Sequence, residues 1–179
     1  MSSAKEEVYT PPLLARKAVE NYLRSHIVID SPMPLPTGLY TRAATFVSIK
    51  TDQGQLRGCI GTIQPLYDNV AEEIIRNAIK AATEDYRFPP VREIELECLV
   101  YSVDILTPLE SIDNLSEHDP LIYGLMIETL TGRRGVLLPD LEGIKTAEAQ
   151  LAALRHKIGL AADIPVKMSR FRVERFGKK

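Results

Sequence analysis

The chain has no tryptophan, two cysteines, three histidines and four phenylalanines among its 179 residues. Two cysteines cannot by themselves supply a disulfide framework, a four-thiolate zinc site or an iron–sulfur cluster. Cys59 and Cys98 are therefore expected as free thiols in a reducing compartment. No stretch approaches the roughly 18 consecutive apolar residues of a membrane span, and the opening MSSAKEEVYTPP lacks the apolar core of a secretory signal. A cytoplasmic protein with no membrane partner is expected, and the sequon Asn114-Leu115-Ser116 is then idle. An excess of one charge is missing as well. The 22 Lys and Arg stand against 24 Asp and Glu, a net charge of −2, which argues against coating nucleic acid or an anionic membrane. There is no Walker loop, dinucleotide fingerprint, Gly-x-Ser-x-Gly elbow or His-Glu-x-x-His motif, so no cofactor and no metal are expected.

What is present is the composition of a globular domain, 45% apolar and 26% charged, with no repeat, low-complexity tract or linker. Thr10 followed by Pro11 and Pro12 reads as a helix start, and Leu14, Ala18, Tyr22 and Leu23 carry helical spacing through residue 26. Pro32, Pro34 and Pro36 force the run 29–38 into loop or extended backbone. Residues 43–50 and 55–63 read as two arms of a hairpin about Thr51-Asp52-Gln53-Gly54. A second helix is expected from Pro65 to about Glu84. Residues 93–105 alternate, with Glu93, Glu95 and Glu97 on one face and Ile94, Leu96, Cys98 and Val100 on the other, so the whole run is expected as a strand. Strands over 121–129 and 134–138 flank a Thr131-Gly132-Arg133 turn. A helix runs from Thr146 to Ile158 with Leu151, Leu154 and Ile158 inward and Gly159 as its cap. Residues 165–176 read as one last strand. Hairpins with separate helices indicate an α+β fold.

The most unusual stretch is Leu56-Arg57-Gly58-Cys59-Ile60-Gly61-Thr62. Glycines weaken a strand, so a pair of them around a cysteine indicates close backbone approach, a bulge or a ligand against the main chain. An arginine two residues away favours a thiolate, and the positive end of the helix expected from Pro65 would add to that. Cys59 is thus a candidate nucleophile or redox group. From the pattern alone, a buried structural cysteine, with glycines that serve packing, is the favoured reading.

LRGCIGT, followed by a helix and then DYRFPPV at residues 85–91, resembles the signature of the AMMECR-one domain family. IELECLVYSVDILTP, YGLMIETLTGRRGVLLPDLEGI and TAEAQLAALRHKIGL extend the resemblance from about residue 10 to the C-terminus, in particular to the prokaryotic branch called AmmeMemoRadiSam system protein A. The resemblance implies a small two-lobed α+β domain with antiparallel or mixed sheets, flanking helices and a cleft between the lobes. It implies an association with a Memo-like protein and a radical S-adenosylmethionine (radical SAM) protein as partners, and no established activity. Many relatives carry tryptophans in the last third and a cysteine in the late helix, where this chain has no Trp and places His156 or a neighbour.

The remaining candidates are weaker in kind. Glu93, Glu95 and Glu97 stand roughly 6.5–7 Å apart if on one strand. No His or Asp is interleaved among them, so a solvated face or a ladder against Arg170 and Arg172 is the plain reading. His26, His118 and His156 lie far apart and read as surface or capping residues, with His156 the one that could act as a base. Arg87 suits bidentate recognition of a phosphate or carboxylate, or a local contact with Asp85. The basic end from Arg170 to Lys179 reads as a solvated tail.

The expectation is therefore one α+β domain over residues 1–179, with disordered ends at about 1–8 and 177–179. Arg57, Gly58, Gly61, Thr62 and Arg87 would bind a small anionic or nucleotide-like ligand in the cleft, beside Cys59. Alternatives are a non-catalytic scaffold for the two partner proteins or, more remotely, a nucleic-acid-associated factor. Whether the protein is an enzyme stays open at this point.

Overall fold

The computed structural model describes residues 9–34 and 38–177. Residues 1–8 and 178–179 of the expected ends, and Pro36 of the proline run, lie outside them. Leu106–Glu174 forms one compact unit, and the residues up to Ile105 together with those from Arg175 form the other.

In the first unit, helix α1 spans Pro11–Ser25. The Thr10 hydroxyl oxygen accepts the Leu13 N–H at 3.4 Å, and the two prolines occupy positions whose N–H groups would be unpaired anyway. Leu14, Ala15, Ala18 and Val19 are its buried stripe. Strands β1 (Thr45–Thr51) and β2 (Leu56–Gly61) form the expected hairpin, closed at Gly54 with φ +84°. Their register sets Ser48 opposite Cys59 and Phe46 opposite Gly61.

Helix α2 runs from Val70 to Thr83, five residues later than the start expected at Pro65. The cap is Asn69, whose side chain accepts the Glu72 N–H at 2.9 Å. The preceding loop is held by the Glu73 carboxylate, which takes the N–H groups of Leu66 at 2.9 Å and Tyr67 at 3.0 Å. A capping Asn plus a buried acceptor for the loop outweighs the Pro signal.

The run 93–105 is the largest departure from the pattern reading. Glu93–Cys98 is a 3-10 helix, and only Leu99–Leu106 is strand, β3. Of the supposed inner face, Leu96 alone among the 93–98 residues is buried, while Ile94 is 82% exposed. The local cause is Glu95, whose carboxylate returns to the Arg92 N–H at 2.8 Å and closes the turn. The three glutamates therefore form no ladder: Glu93 pairs with Arg24 at 3.4 Å and Glu95 with Arg57 at 2.8 Å. The first sheet has the order β2-β1-β3-β8, where β8 is Val173–Phe176. Its core is built by α1 and α2 against Val47, Ile49, Leu99 and Val103.

In the second unit, β4 (Glu110–Ile112), β5 (Gly124–Thr129), β6 (Arg134–Leu137) and β7 (Val166–Phe171) make an antiparallel sheet of order β4-β7-β5-β6. Helix α3, Ala147–Lys157, is capped by Thr146 and buries Leu154 against Leu125 and Ile127. The single strand expected over 165–176 is two strands in two sheets. The break falls at Arg172, whose N–H and C=O are both taken by Thr107. As far as Phe176 the basic end thus runs through β7 and β8 rather than as a tail. Arg170 pairs with Glu110 at 3.0 Å and Arg172 donates to the Tyr123 hydroxyl at 2.6 Å. Strand β4, three residues long, has no signal of its own in the sequence.

Candidate binding site beside the LRGCIGT strand

Strand β2 is an edge strand, so one side of its backbone has no strand partner among the described residues. At Cys59 that side is covered by side chains. The Cys59 N–H donates to Asp85 Oδ2 at 2.8 Å, and Arg87 Nη2 approaches the Cys59 carbonyl oxygen at 3.5 Å. Arg87 and Asp85 are joined by three further hydrogen bonds, two from the guanidinium at 2.9 and 2.7 Å and one from the Arg87 N–H at 3.2 Å. The Asp85 carboxylate is 4% exposed, and its Arg87 partner holds its pKa down at about 2. The local Asp85–Arg87 contact is the one formed.

Arg57 is the second clamp. Its guanidinium donates to Glu95 Oε2 at 2.8 Å and Oε1 at 3.1 Å, and to the carbonyl oxygens of Pro89 at 2.8 Å and Pro90 at 3.1 Å. This forked engagement is what guanidinium geometry allows and an ammonium cannot reproduce. It depresses the Glu95 pKa to about 2. Arg57 is therefore committed to the wall of the site, and the cation that acts on the Cys59 thiol is Arg87.

The glycines answer to packing. A Cβ at Gly58 would lie 2.0 Å from the Ala81 carbonyl oxygen of α2. At Gly61 it would lie 2.3 Å from the Phe46 ring. Thr62 ends the strand in a polar knot: its hydroxyl donates to the buried Glu73, and its N–H to the Thr45 carbonyl at 3.0 Å. Asn77 donates to the Thr45 carbonyl oxygen at 3.1 Å and to its hydroxyl oxygen at 3.0 Å. Glu73 and Asn77, four apart on an otherwise apolar helix stripe, were the readable sign of this knot. The α2 N-terminus is occupied by Asn69 and by the Thr41 carbonyl, which accepts the Val70 N–H at 2.8 Å.

Cys59 itself is half-buried, with the Ser48 hydroxyl donating to Sγ at 3.2 Å. Burial pushes its pKa up, against the smaller opposing effects of Ser48 and Arg87. His156 is exposed on α3 in the second unit, and its ring has no hydrogen-bond partner among the described residues. His118 is buried rather than at the surface, bonded through Nε2 to Gln150. Cys98 is exposed. Among the described residues, no three His, Cys, Asp or Glu side chains are grouped to hold a metal ion. No described helix is long and apolar enough to cross a membrane.

Next to the Arg57 clamp lies a groove of about 450 Å³ bounded by Arg57, Phe88, Pro89, Pro90, Arg92 and Glu95. Of these six, sequence reasoning assigned only Arg57 to a site. The sign for the others was that they lie in or just after the DYRFPP run.

The family model for AMMECR1 matches residues 13–179. The chain belongs to the AMMECR1 family, an α+β fold with two antiparallel sheets. Among its relatives, a Thermotoga maritima protein is 46% identical over 164 residues, covering 90% of this chain and 94% of the relative. A Thermococcus gammatolerans protein is 39% identical, covering 91% and 86%. The crystal structure of protein PH0010 from Pyrococcus horikoshii superposes with a TM-score of 0.84 at 34% identity, covering 94% of this chain and 90% of that one.

Proposed function

We propose that the protein is a non-catalytic binding module that holds an anionic group in the groove between Phe88 and Glu95, with LRGCIGT as the framework behind it. One observation carries the reading: the polar atoms of the groove wall are consumed by the wall itself. The Pro89 and Pro90 carbonyls and both Glu95 oxygens are taken by Arg57, and prolines have no N–H to offer. What remains is the Arg92 guanidinium, 79% exposed at its side chain, with the rings of Pro89 and Pro90 and that of Phe88, over which the Arg87 guanidinium lies at 5.4 Å. Such a set takes a carboxylate or phosphate attached to a flat apolar body.

The thiol reading has less behind it, since burial disfavours the Cys59 thiolate and the flanking glycines serve packing. A scaffold for a Memo-like protein and a radical SAM protein, implied by the family resemblance, is a form of the same binding role. It is favoured by the exposed Tyr86 and Ile94, 94% and 82% accessible.

The test is a titration with adenosine monophosphate and with benzoate, followed by backbone amide NMR. Shifts should cluster over residues 88–95 and disappear in Arg92→Ala. Shifts centred on Cys59 and Ser48 and indifferent to Arg92→Ala would overturn the reading.

A further inference from the structure

We infer that the occupant of this groove is an extended acidic segment of a partner polypeptide that brings proline or aromatic side chains, an inference that rests on the groove being the binding site. Three observations lead there. The groove is a surface feature, since Pro89, Pro90 and Arg92 are all exposed. It cannot enclose most of a small molecule's surface, as small-ligand sites do. Its chain neighbours carry the binding character further in both directions. Tyr86 is 94% exposed on one side and Ile94 82% exposed on the other, and Tyr, Arg and apolar residues are the types on which protein interfaces concentrate their energy.

Charge then selects the partner. Asp85 is buried against Arg87, Glu95 is held by Arg57, and the more exposed Glu93 is paired with Arg24 at 3.4 Å, so these three carboxylates are met by the protein's own guanidinium groups. Arg92, only loosely placed at 3.6 Å from Glu95, and the half-exposed Arg87 present the accessible charge, which is positive. Recognition by strand addition is ruled out at Cys59, where the β2 edge is already covered by Asp85 and Arg87. The contact must run through side chains: rings against Phe88, Tyr86 and the two prolines, and a carboxylate on Arg92.

The experiment pans a phage-displayed library of random peptides against the full chain and measures selected peptides by fluorescence anisotropy, with adenosine monophosphate titrated in parallel. Enrichment of acidic, ring-bearing peptides is expected. Their affinity should fall about tenfold or more in Arg92→Glu and about fivefold in Tyr86→Ala, both exposed positions whose variants should melt like the parent. Ile94→Ala provides a second apolar variant. Arg92-dependent binding of the nucleotide without enrichment of acidic peptides would overturn this inference and leave the groove reading standing. Selected peptides that are basic or uncharged, or indifferent to both Arg92→Glu and Tyr86→Ala, would overturn it too. If neither peptides nor nucleotide bind, both readings fall together.

Discussion

The Cys59 N–H and the Asp85 carboxylate are joined by a 2.8 Å hydrogen bond that ties LRGCIGT to DYRFPP. Asp85, with Arg87, does for the open edge of β2 what a neighbouring strand would do, supplying an acceptor and a donor to one residue's backbone. Replacing Asp85 by Ala leaves a buried N–H and a guanidinium without their partner. A loss of roughly 2–3 kcal/mol is expected, together with concentration-dependent self-association as the edge opens. Denaturant unfolding and light scattering on the same variant check this, and a variant as stable and no more associated than the parent would contradict it.

Acid should loosen the same region. Asp85 and Glu95 both have folded pKa values near 2, depressed from ordinary values of 3.8 and 4.5 by Arg87 and Arg57. A depressed carboxylate contributes stability that is fully present above its unfolded pKa and is lost as pH falls toward the folded one. Stability should therefore decline between about pH 4.5 and 2, by on the order of 1–2 kcal/mol for each pair. The decline should be smaller in Glu95→Gln, which is already weakened at neutral pH. Urea midpoints across that range decide it.

Gly58→Ala is expected to be among the most damaging substitutions outside the apolar core. The new methyl would meet a backbone carbonyl at 2.0 Å, which no rotamer can relieve, and a cost of roughly 3 kcal/mol or more follows from forcing α2 away from the sheet. Gly54→Ala meets open space and suffers only its positive φ, about 1 kcal/mol. Thermal midpoints of the two variants should be well separated.

Much of the fold was legible in the sequence where local chemistry and pattern agreed. Thr10-Pro11-Pro12 starts α1, Gly54 closes the hairpin, and Thr146 and Ile158 bracket α3. The failures share a cause. Residues 93–98 carry a period-two pattern, but Glu95 turns back onto the Arg92 N–H and is held there by Arg57, thirty-eight positions away, and a two-residue period shows neither contact. The 165–176 run reads as one strand because the Thr107 contacts that break it at Arg172 come from distant chain. The glycines of LRGCIGT were expected to permit close approach. That the approaching groups are Ala81 and Phe46 of the protein itself required the structure. Arg57 was visible as a cation but its four acceptors were not.

Arg57→Lys tests the clamp. An ammonium cannot reach both Glu95 oxygens and two proline carbonyls together, so a loss of about 2 kcal/mol is expected. Amide exchange should quicken over residues 88–95 while α1 keeps its protection. Uniform acceleration across the first unit would instead mean that the clamp holds no particular segment.

Reactivity of the two thiols gives a further check. Cys98 is exposed and should be alkylated first. Cys59, raised by burial, should react slowly near neutrality and speed up only at a higher pH than an ordinary exposed thiol needs. Fast neutral alkylation of Cys59, mapped by peptide mass spectrometry, would reinstate it as an activated nucleophile.

The central claim is that LRGCIGT is framework and that the groove beside it does the binding. It is tested most directly by titrating one anionic probe, adenosine monophosphate or a selected acidic peptide, against Cys59→Ser and Arg92→Glu side by side. The account predicts that Cys59→Ser binds as the parent does while Arg92→Glu loses about tenfold or more in affinity. Binding lost in Cys59→Ser and retained in Arg92→Glu, with both variants folded, would contradict it.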